Sequence, residues 1–265
     1  MPELPDVEIF RQYMESTSLQ QEIRNVEVPG KDMLEGTSAS RLKKVLRGRL
    51  FQNARRHGKY LFGGLDEEGW LVLHFGMTGF LSYFRDEKQS TSHKRLLIRF
   101  SNGYTLAYHC LRKLGKIALA DDLNRFIEEK GLGPDPLGSS FDLETFSNTM
   151  SASRAAVKST LMNQKLLAGI GNIYSDEILF QAGIRPGVKT RDLSDKDLES
   201  IYIEMTQNVL PTAIEARADP SRLPASFIIP HRHGGGACPL CGTALRKTRI
   251  GGRTAYFCPQ HQHGC

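Results

Sequence analysis

Met1-Pro2-Glu3-Leu4-Pro5-Asp6-Val7-Glu8 opens the chain, and its reading decides how the rest is organised. A small residue after the initiator methionine lets an aminopeptidase expose Pro2, which leaves a secondary amine at the chain start. Such an amine can attack an electrophilic carbon and form an iminium without a lysine. An unperturbed α-amino group titrates at about pH 8, so a useful fraction is nucleophilic at neutral pH. Pro5 suits the first turn of a helix, where its missing N–H costs nothing. Val7, Phe10 and Met14 recur at helical spacing and predict an apolar face. Glu3, Asp6 and Glu8 fall at that helix's positive end, which favours carboxylates and disfavours a protonated amine beside them.

Working outward, 265 residues suffice for two domains or one large one. With 40% hydrophobic and 24% charged residues, the chain reads as an ordinary globular protein. No apolar run approaches a membrane span, and the first residues lack the basic and hydrophobic regions of a signal peptide. The expectation is a monomeric cytoplasmic protein with no membrane partner, nucleoid-associated if bacterial. Net charge is +6, and its placement is informative. Between Glu35 and Asp66 there is no acid, against eight bases: Arg41, Lys43, Lys44, Arg47, Arg49, Arg55, Arg56 and Lys59. From His231 to Cys265 there is again no acid, while Arg232, Arg246, Lys247, Arg249 and Arg253 supply positive charge. Two separated basic segments suggest a polyanion tracked from two sides.

After the first helix, short runs rich in Val, Leu, Phe and Tyr alternate with turn residues, at 23–28, 60–65, 70–75, 80–84, 96–100, 104–108 and 117–120. Asn102-Gly103 between two of them is a hairpin signal. Strands at this spacing imply an antiparallel sandwich or barrel. Residues 85–94 are polar and charged and read as a mobile loop. Gly131-Leu132-Gly133-Pro134-Asp135-Pro136-Leu137-Gly138 cannot be a helix interior and reads as a linker. Beyond it the pattern turns helical at 143–150, 153–162, 173–182 and 195–216. The fold class is therefore α+β and multidomain. An antiparallel sandwich or barrel spans 1–130, a linker 131–140, a helical domain 141–230 and a metal-binding hairpin 231–265.

Four of the five cysteines lie in the last 28 residues, a clustering that points to metal rather than disulfides. Cys238-Pro239-Leu240-Cys241 and Cys258-Pro259-Gln260-His261 are two knuckles separated by sixteen residues. Zinc needs four soft or borderline ligands at tetrahedral vertices, and two paired turns supply them. The expected ligands of one structural Zn2+ are Cys238, Cys241, Cys258 and His261, with His263 and Cys265 also within reach for the fourth place. Between the knuckles, 244–248 and 253–257 flank Gly251-Gly252, a hairpin with a basic tip. Met162 to Tyr174 joins two helices through Gly169-Ile170-Gly171, with Asn172 placed to cap the second. Free N–H groups at that helix end make a phosphate site. No strand precedes these glycines and a third is missing, so they are not a dinucleotide fingerprint.

Taken in order, Pro-Glu-Leu-Pro at the start, the helix pair around Gly-Ile-Gly-Asn-Ile-Tyr and the zinc hairpin resemble the formamidopyrimidine-DNA glycosylases and their endonuclease VIII relatives. The resemblance runs nearly end to end. His74-Phe75-Gly76-Met77-Thr78-Gly79 and Leu132-Gly133-Pro134-Asp135-Pro136-Leu137 place the chain nearer the formamidopyrimidine branch. The resemblance implies an antiparallel β-sandwich as the N-terminal catalytic domain, a helix-two-turn-helix in the helical domain, and a bifunctional glycosylase and abasic-site lyase. Its partner would be double-stranded DNA carrying damaged bases or abasic sites, held in the cleft between the domains. Such enzymes extrude the damaged nucleotide and fill the gap left in the stack. Oxidised purines are the expected substrates. The alternatives are oxidised pyrimidines, or binding of abasic or bent DNA without cleavage.

By the same resemblance, Pro2 attacks C1′ and Glu3 manages protons at the sugar. Lys59, in Gly58-Lys59-Tyr60, reaches the active site and the lesion's phosphate. Met77 enters the vacated space, with Arg112 and Leu114 at the positions of the other two intercalating residues. His74, Asn172, Arg253 and Lys158 match phosphate contacts, which set register and give salt-dependent affinity. The chain departs from the pattern at four places. Asp6 stands where the family usually has Glu, so its catalytic part is weakened by one methylene. Leu114 replaces the wedge phenylalanine, losing aromatic stacking worth roughly 1–3 kcal/mol. Cys110-Leu111 replaces Asp-Pro, and the stretch from Phe227 to Cys238 is shorter than usual.

Overall fold

The computed structural model describes residues 1–86 and 92–263. Residues 87–91, within the loop expected over 85–94, and Cys265 lie outside the described residues. The chain divides into two compact units, one of 1–2 and 6–130, the other of 3–5 and 131–265. Residues 131–140 and 231–265, read as a linker and a separate hairpin, both belong to the second unit.

Helix α1 (Leu4–Ser18) begins under Pro5 and carries Asp6 in its first turn. In the first unit, β1 (Ile23–Glu27), β6 (Lys94–Phe100), β7 (Thr105–Cys110) and β5 (Gly79–Phe84) form one antiparallel sheet. The second sheet orders β2 (Phe51–His57), β3 (Tyr60–Leu65), β4 (Trp70–His74) and β8 (Lys116–Ala120). Inward-facing residues of both sheets meet in one core with Val7 and Met14 of α1, so the unit is a sandwich. Phe126 of α3 (Leu123–Glu129) covers the outer face of the second sheet at Phe62, Val72 and Ala118, which is why β3 is buried on both faces. At the β6–β7 turn, Gly103 adopts φ +84° and Asn102 Oδ1 accepts from Tyr104 N at 3.0 Å.

Three elements escape the sequence patterns. Strand β2 offers the core only Phe51 and Ala54, with Arg55 exposed and Arg56 turned to Glu8, so its composition reads as a basic run. The short helices α2 (Ala39–Leu46) and α3 announce themselves chiefly through their caps, Ser38 and Asp122, each accepting from a backbone N–H three residues on.

The second unit packs α4 (Leu143–Ser151), α5 (Val157–Leu161), α6 (Asn172–Gln181), α7 (Asp195–Ile203) and α8 (Leu210–Glu215) around a single apolar core that also takes Leu4. The helix expected over 153–162 shrinks to α5, because its first residues are extended: Ala156 bridges Lys189, and Thr190 N donates to Ala155 O. Pro211 has no N–H to donate, and the helix absorbs it through a π-turn at Glu204–Val209, between α7 and α8. Strands β9 (Arg246–Ile250) and β10 (Arg253–Phe257) form an antiparallel hairpin over Gly251-Gly252, both with positive φ. Its base is seated through Cys238 and Cys258 on Phe180 of α6 and on Ile228. Among the described residues no helix is long and apolar enough to cross a membrane.

Candidate active site and nucleic-acid contacts

The head of α6 is where the second unit gathers its chemistry. The turn before it is braced by Gln164, which donates to Met162 O and Ile170 O and accepts from Gly169 N at 3.0 Å. Gly169 adopts φ +103°, and its carbonyl accepts from Leu4 N at 3.0 Å. That bond delivers Glu3, 1% exposed, to the helix start. Its Oε2 accepts from Gly171 N and Tyr174 N at 3.0 and 3.1 Å, and its Oε1 from Ile173 N at 3.0 Å. A Cβ at position 171 would sit 2.3 Å from Glu3 Cδ, so only glycine admits the carboxylate.

Two sequence readings are corrected here. Asn172 does not cap α6 but is its first helical residue, with Gly171 at the cap position and no side-chain cap bond. The N–H groups read as a phosphate site are held by Glu3, a carboxylate satisfying both the orphan donors and the helix's positive end. The Oδ1 of Asn172 is buried with no hydrogen-bond partner among the described residues.

Lys158, expected at a phosphate, is fully buried. Its ammonium donates to Asp176 Oδ1 at 2.5 Å, to Ser175 Oγ at 3.0 Å and to Asn172 O at 3.1 Å, which uses all three protons. Burial pulls its pKa down and Asp176 opposes that shift. Asp176 Oδ2 also takes Arg232 Nη2 at 2.7 Å and Tyr256 N at 3.1 Å, so one carboxylate ties α6 to β10 and to the stretch before the cysteines. Its neighbour Glu177 accepts from Ile228 N, Ile229 N and Gln181 Nε2. Burial pushes Glu177 up to about 7 against those donors. Sequence reading missed this pair, since residues Tyr174 to Phe180 are buried all round and show no helical periodicity.

The thiol sulfurs of Cys238, Cys241 and Cys258 lie within 4.8 Å of one another and could hold a metal ion. His261 is not brought to them. Its Nε2 lies 3.0 Å from Phe180 O, its ring packs on Phe180, and its backbone N–H donates to Cys258 Sγ at 3.2 Å. His263 is bridged to Ile184. Arg253 is exposed at the start of β10, beside the glycine turn.

In the first unit, Lys59 occupies the β2–β3 turn at Gly58-Lys59. That turn is anchored by Arg56, which pairs with Glu8 of α1 at 3.0 Å and donates to Gly58 O at 3.2 Å. Arg49 likewise pairs with Asp66 at 2.6 Å, so two of the eight bases in the basic run serve the fold. His74 closes β4 against the Tyr60 ring and accepts from Gly76 N through Nδ1 at 3.4 Å. Burial, reinforced by the Lys59 charge, holds its pKa down at about 4, so the ring is neutral at pH 7. Gly76, at φ +59°, lies against the backbone of Leu114 and Gly115, where a Cβ would approach within 2.5 Å. Thr78 Oγ1 accepts from Arg112 N at 3.1 Å. These contacts set Met77, Arg112 and Leu114 on one surface, with Met77 37% and Leu114 50% exposed. Asp6 is half-buried in the first turn of α1.

A sandwich carrying a lysine turn, a helix pair with a remote carboxylate at its head and a cysteine hairpin define a class of DNA-repair glycosylase. A model of the formamidopyrimidine-DNA glycosylase N-terminal domain matches residues 1–117, and one of that family's H2TH domain matches residues 132–224. The chain is 35% identical over 269 residues to the formamidopyrimidine-DNA glycosylase of Pelobacter propionicus, covering 99% of this chain and all of the relative. It is 34% identical over 276 residues to that of Streptococcus pyogenes, covering 99% and 98%. A crystal structure of wild-type Lactococcus lactis Fpg (MutM) with DNA containing N7-benzyl-Fapy-dG superposes with a TM-score of 0.88 at 30% identity, covering 99% of this chain and all of that one. A complex of Lactococcus lactis Fpg with DNA containing an abasic site gives 0.88 at 29% identity, covering 98% and 99%. The chain belongs to the formamidopyrimidine-DNA glycosylase family.

Proposed function

We propose that this protein is a bifunctional DNA glycosylase and abasic-site lyase that excises oxidised purines from duplex DNA, with Pro2 as nucleophile. The observation that carries the reading is the Glu3 carboxylate pinned by three backbone N–H groups at the head of α6, one peptide bond from Pro2. Once Met1 is removed, the Pro2 nitrogen lone pair attacks C1′ of the extruded nucleotide. The C1′–N bond breaks, and its electron pair leaves with the base, which takes up the proton shed by the Pro2 nitrogen. Ring opening then gives an iminium between Pro2 and C1′, and a proton must reach the sugar ring oxygen. Glu3 is the carboxyl beside the amine that can carry it. Loss of a C2′ proton expels the 3′ phosphate, and a second elimination expels the 5′ phosphate, leaving a gap.

Lys59, at the anchored β2–β3 turn, brings positive charge to the lesion's phosphate, and the neutral His74 ring offers its Nε2–H to another. Arg253 and the Asn172 side chain are further phosphate contacts. Lys158 is reassigned to holding the first turn of α6, since Asp176, Ser175 and Asn172 occupy its ammonium. Met77, Arg112 and Leu114 fill the space left by the extruded base. Asp6 assists the proton traffic from the first turn of α1.

Three soft sulfur donors suit Zn2+ at Cys238, Cys241 and Cys258. Zinc there would staple the hairpin that presents Arg253 and would take no part in the chemistry. The reaction products provide the test. A duplex carrying 8-oxoguanine opposite cytosine should be cut to a one-nucleotide gap bearing phosphate on both ends. Release of base without strand cleavage would refute the lyase half of the reading, and no release would refute the whole.

A further inference from the structure

We propose that the cavity between α2 and the β3–β4 turn docks an acidic peptide segment of a partner protein, one carrying an aliphatic or aromatic side chain among its carboxylates. The cavity has a volume of about 630 Å³ and lies wholly within the first unit. It stands apart from every residue assigned to the repair reaction. In the second sheet His74 pairs with Lys116 at one end, and the turns bearing Lys59, Met77, Arg112 and Leu114 adjoin that end. Trp70 pairs with Ala120 at the other end, four residues back along β4, or about 14 Å at about 3.4 Å per residue. The cavity opens at this far end, lined by Trp70 and Ala120.

Its walls are of two kinds. Leu42 and Leu46 of α2 are buried in the sandwich core, which leaves Arg41, Lys44 and Arg47 exposed along one side of the helix and its C-cap. Arg49, a fourth base in the lining, is taken by Asp66 at 2.6 Å and Glu67 at 3.1 Å. Arg41, Lys44 and Arg47 have no ion pair among the described residues, so neither the fold nor the Lys59 turn uses this part of the basic run. The helix's last carbonyls favour Lys44, but bases recurring every three residues repel one another, and an anion from outside would relieve them. Between these bases and the sheet, Val45, Trp70, Leu119 and Ala120 are half-buried and give the lining its apolar part.

This pairing of walls selects a peptide over a nucleic acid. Carboxylates can meet the three bases, while an apolar side chain displaces water from Trp70 and Leu119. A phosphate backbone could satisfy the bases too. It would also face Glu68 and Asp121, exposed acids in the same lining, to which a peptide can offer backbone N–H groups. A partner seated there leaves the opposite end of the sheet clear, so docking and the proposed repair activity are separable.

Trp70 is the chain's one tryptophan, and its emission reports water leaving the cavity. Full-length zinc-bound protein is titrated with acetylated Asp-Glu-Leu-Asp-Glu-Phe-Asp, with a copy holding Ser in place of Leu and Phe, and with a copy holding Lys in place of every acid. Only the first should move the emission to shorter wavelength and saturate, and added salt should weaken it. Arg41→Glu with Lys44→Glu, and separately Arg47→Glu, should weaken that binding by roughly tenfold or more, with melting temperature and excision of 8-oxoguanine unchanged. No shift, an equal shift from the serine or lysine copy, or undiminished binding in both variants would overturn the proposal. So would displacement of the peptide by an undamaged duplex whose own affinity falls in the same variants, since this face would then be a DNA surface. If the wild-type protein binds the peptide as described but excises nothing, the docking site stands and the repair reading falls.

Discussion

Replacing Glu3 by glutamine tests the head of α6 most sharply. In the native arrangement a buried carboxylate accepts three backbone N–H groups at 3.0 to 3.1 Å. A carboxamide can keep its oxygen where Oε2 stands, facing Gly171 and Tyr174. Its NH2 then faces the Ile173 N–H, donor against donor. One charge-assisted bond is lost, worth about 1.5–3 kcal/mol, and two others weaken to neutral bonds at roughly half that value. Removing negative charge from the positive helix end costs about another 0.5–1 kcal/mol. Relief of burying a charge offsets part of the sum, leaving a net loss of about 3 kcal/mol in local stability. That converts to roughly a hundredfold faster amide exchange, since each 1.4 kcal/mol is a factor of ten. Hydrogen exchange followed by mass spectrometry or NMR on Glu3→Gln should therefore show the loss at Ile173 and Tyr174 and none in β2–β4. Unchanged exchange with lost activity would mean that the carboxylate serves chemistry alone. Unchanged exchange with unchanged activity would refute both roles.

Two buried groups give opposite pH signatures. His74 is held neutral at about 4 against an ordinary 6.5, so the unfolded chain binds more protons between those values. Its stability contribution, about 3 kcal/mol by linkage, is complete above 6.5 and lost as pH falls toward 4. Glu177 is raised from 4.5 to about 7, so the folded state binds the extra proton and stability of the second unit falls as pH rises across that window. Urea melts from pH 4.5 to 8 should show α6 following the Glu177 sense, with the slope abolished in Glu177→Gln; a slope that survives would refute the assignment. Arg253→Ala should weaken binding to all duplexes alike and reduce the log–log salt slope by about 0.9, whereas altered lesion preference at constant affinity would contradict a phosphate role. Purified protein should hold one zinc per chain. A chelator should expose the Cys238, Cys241 and Cys258 thiols to alkylation and lower affinity for every duplex; thiols equally reactive with and without chelator would rule the site out.

The sequence and the structure agree best where periodicity and turn chemistry carry the information. The apolar runs around Leu71, Ile98 and Leu106 are continuous, each sending alternate residues into the sandwich core, and Asn102-Gly103 marks the turn between the last two. Strand β2 was hidden because Arg55 and Arg56 read as part of a basic run, although only Arg55 faces outward and Arg56 is held by Glu8 and anchors the Lys59 turn. The site divides in the same way. The three cysteines are legible because their residue type and spacing belong to a chemistry. The trans cap is not, because nothing local in Gly171-Asn172 signals that a carboxylate from position 3 will arrive. Lys158 misled for a related reason: a lysine beside a helix pair reads as a surface base until Asp176 is seen to bury it. Buried charge pairs are set by tertiary contacts, to which periodicity is blind.

The central claim is that the processed amino terminus bonds to deoxyribose. Borohydride reduction during reaction with an abasic-site duplex, followed by proteolysis and mass spectrometry, measures it directly. The account predicts a single stable adduct on the N-terminal peptide beginning at Pro2, abolished in Pro2→Gly. An adduct on a lysine-containing peptide, or one that forms equally well without Pro2, would contradict it.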